Sequence, residues 1–233
     1  MDITYSYQTL ALAACLLFAG YLSYRSWTPP SPPPARPYHQ DVAGKWLKPS
    51  VINARRGIII ALWLYHTALT LTYPEPPTLL CPFPQNLSVS VFSWSRYVMV
   101  CLSVIFVAAS IRFLAFAQLG TNFTFRLAVP TKLVRTGMYA YVRHPSYTSH
   151  FILLLANAAL MSRPSGISGC WMPSAIVAWS EAFFPLLFIL LACVLAFGLS
   201  LRVRDEEEML KNEFGEEWEA YHMETKRFVP GLF

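Results

Sequence analysis

Five apolar segments, separated by intervals of very unequal basic charge, constrain this chain more than any other feature. They cover about residues 3–24, 57–73, 97–119, 147–161 and 175–201. A helix perpendicular to a bilayer needs roughly 20 residues to cross the hydrocarbon core. The second and fourth segments sit at or below that length, so they borrow flanking residues or thin the bilayer around them. Lys and Arg collect on alternate intervals. Six lie between Arg25 and Arg56, five between Arg112 and Arg143 and five from Arg202 onward, against only Arg96 and Arg163 elsewhere. Basic residues favour the cytosolic side. The bias predicts a lumenal N-terminus, a cytosolic C-terminus and five spans, since a sixth would break the pattern.

Composition points the same way. Hydrophobic residues make up 55% and charged residues 13%, about half the charge of an ordinary soluble domain. The expected class is an all-α, polytopic membrane helix bundle. The net charge of +5 is spread between spans and forms no continuous patch, which argues against a nucleic-acid partner. The five cysteines are scattered, without metal-ligand spacing, so no metal site is expected. Cys15, Cys101 and Cys193 lie in apolar runs, where packing is their expected role. No cleavable signal peptide is expected, because the first apolar run lacks a basic leader and a small-residue cleavage site.

Between the spans, residues 29–37 carry six prolines and read as an extended cytosolic spacer. Residues 74–84 carry five on the lumenal side, followed by the sequon Asn86-Leu-Ser88 close to the membrane. The short, Gly- and Pro-containing connection 163–173 makes the last two spans an antiparallel hairpin. Asn157 and Glu181 within it are polar residues near membrane depth, where a cavity or a partner is the usual explanation; for Glu181 an interfacial position explains it equally well. After residue 201 the chain becomes strongly charged, with nine of thirteen acidic residues between Asp205 and Glu224. Residues 202–213 read as a cytosolic continuation of the fifth span, Gly215 as a helix terminator and residues 216–226 as a second short helix. The division of labour expected is an N-terminal membrane part, 1–110, and a chemical part, 111–233.

Residues 133–147 form a polar and aromatic run bounded by apolar segments. They hold Arg135, Arg143, His144 and three tyrosines, with Gly137 free to take positive φ and Pro145 holding His144 out of helical geometry. This composition predicts a constrained loop at a membrane surface. Arg202 and Glu206 are four apart, so they share a helix face. They read either as an ordinary ion pair or as two ligand contacts at the mouth of the bundle. Gly-x-Gly-x-x-Gly, Gly-x-x-x-x-Gly-Lys, His-Glu-x-x-His and Gly-x-Ser-x-Gly are all absent, which removes the common nucleotide-loop, zinc-protease and serine-hydrolase chemistries.

The run Gly137-Met-Tyr-Ala-Tyr-Val-Arg-His-Pro-Ser-Tyr147 is followed, after a hydrophobic hairpin, by Arg202-Val-Arg-Asp-Glu-Glu-Glu and by Phe214-Gly-Glu-Glu-Trp-Glu-Ala-Tyr221. With Gly120-Thr-Asn-Phe123 upstream, this order and spacing resembles the isoprenylcysteine carboxyl methyltransferase family from about Arg112 onward. The resemblance implies a membrane enzyme, placed by analogy in the endoplasmic reticulum. It would transfer a methyl group from S-adenosylmethionine to the C-terminal carboxylate of a prenylated cysteine, with the lipid tail left in the membrane. Carried over by position, the cofactor contacts would be Lys132, Leu133, Val134, Tyr139, His144, Pro145, Ser146, Tyr147 and Glu206, with Arg202 and Glu206 in the catalytic role and Arg202 and Arg112 on the substrate. Where family members carry a longer polar linker with a cofactor-binding glutamine, this chain has Leu127-Ala-Val-Pro130.

Two related readings stand beside this one. A phospholipid amine methyltransferase of the same superfamily would act on a neutral amine, for which Arg202 and Arg112 are poor partners. A sterol reductase using NADPH shares the pattern Phe214-Gly-Glu-Glu-Trp with Tyr221 and Pro230-Gly231, but such enzymes are larger and need dinucleotide contacts. A non-enzymatic membrane adaptor docking through its proline-rich loop would leave the paired motifs unexplained.

Overall fold

Continuous apolar sequence becomes helix here because each backbone polar group then finds a partner inside its own segment. The computed structural model describes residues 6–28, 30–32, 48–229 and 231. The expected proline-rich spacer at 29–37 lies largely outside the described residues, as does Pro230. Among the described residues the α-helices are α1 (Tyr7–Ser26), α2 (Pro49–Thr72), α3 (Val89–Phe92), α4 (Arg96–Leu119), α5 (Pro145–Met161), α6 (Ser174–Phe214) and α7 (Glu216–Glu224). No β-strand occurs among them; one isolated parallel bridge pairs Val142 with Lys226.

Among the described residues, three helical stretches are long and apolar enough to cross a membrane: Tyr7–Ser26, Arg96–Asn122 and Ser174–Phe214. The second apolar segment is extended backwards to Pro49, giving 24 residues, and α5 has only 17. α6 runs for 41 residues through Pro185, so the charged residues 202–213 do continue the fifth apolar segment as one helix. Gly215, at φ +50, separates α6 from α7.

The chain divides into two compact units. The first comprises Met1–Arg25, Arg56–Val107 and Leu153–Cys193. Its buried side chains include Leu12, Leu16, Trp63, Leu69, Val98, Ile105, Leu153 and Leu160. Asn157 has found partners here: its Oδ1 accepts from Ser23 Oγ at 2.9 Å and from Trp63 Nε1 at 3.2 Å. Glu181 accepts from the backbone N–H and hydroxyl of Ser165 and pairs with Arg163 Nε at 3.4 Å, so it ties down the hairpin turn. The sequon asparagine is engaged as well. Asn86 Nδ2 donates to the carbonyls of Gly169 (3.0 Å) and Met172 (2.7 Å), while its Oδ1 accepts from Ser174 Oγ at 2.7 Å.

Sequence reading assigned no role to Cys81 and Cys170. The structure joins them in a disulfide across 89 residues of chain. Both lie on the intervals poor in Lys and Arg. Cys101 is buried, in keeping with packing, but Cys193 is exposed, so a protein-packing role does not hold there.

The second unit comprises Ser26–Arg55, Ala108–Ile152 and Val194–Phe233. It holds every residue singled out above as a candidate for chemistry.

Candidate functional site

The site is built on the loop before α5. Thr136 is extended, then Gly137–Ala140 forms a 3-10 turn with Gly137 at φ +64. That turn is pinned from α4, where Gln118 Oε1 accepts from Met138 N–H at 2.9 Å. A Cβ on Gly137 would come within 2.6 Å of the Gln118 carboxamide, so glycine is favoured here for its dihedral, and any larger residue would also push that carboxamide off its bond to Met138. Gly120 also has positive φ, at +55, but nothing within 4 Å of its Cβ position. Gly137→Ala is therefore expected to cost roughly 1–3 kcal/mol of strain and to displace Gln118, while Gly120→Ala bears the dihedral cost alone. Thermal unfolding in detergent checks this: equal losses for both variants would remove Gln118 from the account.

The carboxyl-terminal residues fasten the other edge of the loop. Arg143 N–H donates to Lys226 O (2.8 Å), His144 N–H to Arg227 O (3.1 Å) and Lys226 N–H to Tyr141 O (3.2 Å). Tyr221 Oη in α7 donates to Tyr139 O at 2.7 Å. Pro145 opens α5, a position whose missing N–H costs nothing.

Between this loop, the 119–134 linker and the α6–α7 end lies a cavity. Lys132, Leu133, Val134, Tyr139, His144, Ser146, Tyr147 and Glu206 all line it. Eight of the nine expected cofactor contacts are thus brought together. The ninth, Pro145, does not line the cavity; its ring serves the helix start. Residues that sequence reasoning missed also contribute, among them Asn122, Met209, Trp218 and Tyr221. Along the short apolar linker, Leu127, Ala128 and Pro130 form part of the wall, and Asn122 Oδ1 holds Thr131 through its N–H and hydroxyl, each at 3.0 Å.

A polar row crosses one side. Arg202 Nε donates to Tyr147 Oη at 3.2 Å, Tyr147 Oη donates to Glu206 Oε2, and Arg202 Nη2 donates to Phe125 O at 2.7 Å. Arg202 is 6% exposed. Arg112, 4% exposed, reaches Ser26 O at 3.2 Å and the backbone and hydroxyl oxygens of Ser146 at 2.9 and 3.1 Å. Its guanidinium lies 4.6 Å from the Phe116 ring centre. Neither arginine lines the cavity itself; each touches a residue that does. Tyr139, 5% exposed, presents a buried hydroxyl with no hydrogen-bond partner among the described residues. Burial, with the nearby Glu206 charge next, pushes its phenol well above the usual range, so it stays a neutral O–H. A buried donor without an acceptor is costly. A donor of this kind in a cavity wall is chemically suited to an acceptor on a molecule bound there.

Residues 99–182 match the model of the isoprenylcysteine carboxyl methyltransferase (ICMT) family. The chain is also similar to the protein-S-isoprenylcysteine O-methyltransferase of Dictyostelium discoideum, with 28% identity over 126 residues, 52% of this chain and 44% of that protein. The enzyme of the same name from Schizosaccharomyces pombe is 29% identical over 143 residues, covering 60% of this chain and 52% of the relative. The chain thus spans about half the length of the curated relatives it matches. The ICMT family match includes the loop, α5 and the start of α6, but stops before Arg202 and Glu206.

Proposed function

We propose that this chain is an integral membrane methyltransferase that esterifies the C-terminal carboxylate of prenylated cysteine with a methyl group from S-adenosylmethionine. The observation that carries this reading is the convergence on one cavity of the Tyr139–Tyr147 loop and Glu206, which lie about 60 residues apart in sequence, with the Tyr139 hydroxyl left unpartnered inside it. The two relatives named for this reaction support it.

The residues present suit the cofactor. Tyr139 offers a free O–H, Glu206 a carboxylate and Tyr147 an aromatic face, fitting partners for a ligand with amino, carboxylate and sulfonium groups. Bound there, S-adenosylmethionine supplies an electrophilic methyl group on sulfur. The substrate needs no general base, because an α-carboxyl group has a pKa of about 3.3–3.7 and is ionised at neutral pH. Its oxygen would form the new bond to the methyl carbon as the bond to sulfur breaks, with no proton transfer required. The protein's task is alignment and exclusion of water. Arg202 would hold the carboxylate through its planar fork, braced by Tyr147 and the Phe125 carbonyl. Arg112, buried and bonded among the described residues to neutral oxygens, is a second site of positive charge for an anionic substrate group.

The prenyl tail would stay in the membrane beside the apolar helices. The amine-directed and reductase readings gain no support from the relatives. Purified protein incubated with methyl-labelled S-adenosylmethionine and farnesylcysteine should yield a base-labile methyl ester. Label on a lipid amine, or none on farnesylcysteine, would overturn the proposal.

The orientation belongs to the same reading: a lumenal N-terminus, cytosolic loop and C-terminus, in the endoplasmic reticulum. The sixteen-to-two split of Lys and Arg supports it. So does the disulfide, which joins two sites in basic-poor intervals; such bonds persist in oxidising compartments. Single-cysteine variants probed with impermeant maleimide in sealed microsomes should label residues 29–37 from the cytosolic side and residues 74–84 only after permeabilisation. Labelling of 29–37 from the lumen would reverse the topology.

A further inference from the structure

Three charged or ionisable side chains from two separate parts of the sequence meet at Glu207, a residue that does not line the cavity. Its Oε1 receives Arg143 Nε, His144 Nε2 and Arg227 Nε, each at 3.1 Å, and its Oε2 receives Arg227 Nη2. The side chains of Glu207, Arg143 and His144 are 11%, 6% and 2% exposed, while Arg227 is 41% exposed. Arg143 continues the cluster by donating through Nη1 to His222 O (2.9 Å) and Thr225 O (2.6 Å). Two guanidiniums gathered in a mostly buried place repel each other unless a carboxylate stands between them. Glu207 is that carboxylate. It links the loop before α5 to residues 225–227 and fixes both against α6.

The contact with His144 has a further consequence. An ionised carboxylate only accepts hydrogen bonds, so His144 carries a proton on Nε2 where it faces Glu207. Its other nitrogen, Nδ1, is thereby turned to the Glu206 side, 3.9 Å from Oε1. His144 and Glu206 both line the cavity. Without Glu207 the imidazole is free to turn over and present the wrong nitrogen.

We infer that Glu207 is a positioning residue for the cofactor cavity, acting through His144 by fixing its ring orientation and through Arg143 and Arg227 by clamping the C-terminal residues onto the loop. The inference rests on the cofactor assignment proposed above for its binding readout, but not for its structural one. Calorimetric titration of the full chain in detergent with S-adenosylmethionine should show an affinity loss on the order of tenfold for Glu207→Gln, because the neutral amide weakens the charge-assisted bonds and, being donor as well as acceptor, no longer fixes which nitrogen of His144 faces it. Hydrogen exchange without ligand should rise at residues 141–144 and 225–228 and stay unchanged in the first unit. Glu208→Gln, one residue along on the exposed side of the helix, should match wild type in both. In a His144→Ala background, Glu207→Gln should add less than about twofold to the affinity loss, since interacting residues are not additive.

Unchanged exchange and affinity in Glu207→Gln would overturn the inference. So would a full additional loss in the His144→Ala background, which would mean that Glu207 does not act through His144. Should Glu207→Gln fail to fold, Arg227→Met removes one donor from the exposed edge. It should then give the same local exchange pattern with a smaller affinity loss; absence of that pattern would also overturn the clamp. If wild-type protein binds no S-adenosylmethionine, the functional reading falls, and the exchange measurement still decides the clamp.

Discussion

Replacing Arg202 with lysine is expected to lower turnover on the order of 10²-fold while leaving cofactor affinity and detergent stability close to wild type. The guanidinium already holds Tyr147 Oη through Nε and Phe125 O through Nη2. Lysine keeps the charge but loses the planar fork, so it cannot hold two fixed directions and a carboxylate together. A nucleophile misplaced by about 1 Å costs turnover of that size. Were Arg202 only a structural brace for Tyr147 and the Phe125 carbonyl, the exchange would leave the turnover of folded, cofactor-bound enzyme close to wild type. Steady-state turnover measured beside calorimetric cofactor affinity separates the two. Near-normal turnover in a stable, cofactor-binding variant would return Arg202 to a structural role.

The second large effect concerns Glu206. Glu206→Gln should weaken cofactor binding by about 10- to 100-fold, the range for hydrogen bonds involving a charged group. Glutamine can still accept from Tyr147 Oη through its amide oxygen, so the polar row survives while the negative charge is lost. Tyr147→Ala removes the centre of that row and should weaken binding too. Arg112→Ala should act differently, chiefly raising the apparent Michaelis constant for prenylcysteine, because Arg112 is the proposed second positive charge for an anionic substrate group; a matching loss of cofactor affinity would instead trace its role to the Ser146 contact. Unchanged cofactor affinity in both Glu206→Gln and Tyr147→Ala would mean that the cofactor binds elsewhere.

The acidic run Asp205-Glu-Glu-Glu208 explains why part of this site was legible in sequence and part was not. Composition treats its members alike, as charged residues on a cytosolic helix. Each step along an α-helix turns the side chain by about 100°, so neighbours face different surroundings. Glu206 faces the cavity, Glu207 is buried against Arg143 and His144, and Glu208 is exposed. The family resemblance singled out Glu206 by position. Nothing local distinguished Glu207, because its partners come from 63 and 64 residues upstream and 20 downstream. Gln118 was missed for the same reason: it is one polar residue at the end of an apolar helix until Gly137 is brought against it.

What the sequence determined by itself is what depends on short-range chemistry. Runs of apolar residues specified α1, α4 and α6 as candidate spans, because an isolated helix satisfies its own backbone. The alternation of basic intervals supplied an orientation to test, and Gly137 and Pro145 marked the loop through backbone constraints that each residue carries with it. The continuation of α6 past residue 201 and the separate short α7 were also readable from local charge and from Gly215. Tertiary structure alone decided which distant groups share a space: Cys81 with Cys170, Asn157 with Ser23 and Trp63, and Glu207 with two arginines and a histidine. Those pairings arise from the packing of whole helices and from chain returning to the same place, where contact depends on rotation and register rather than on residue type.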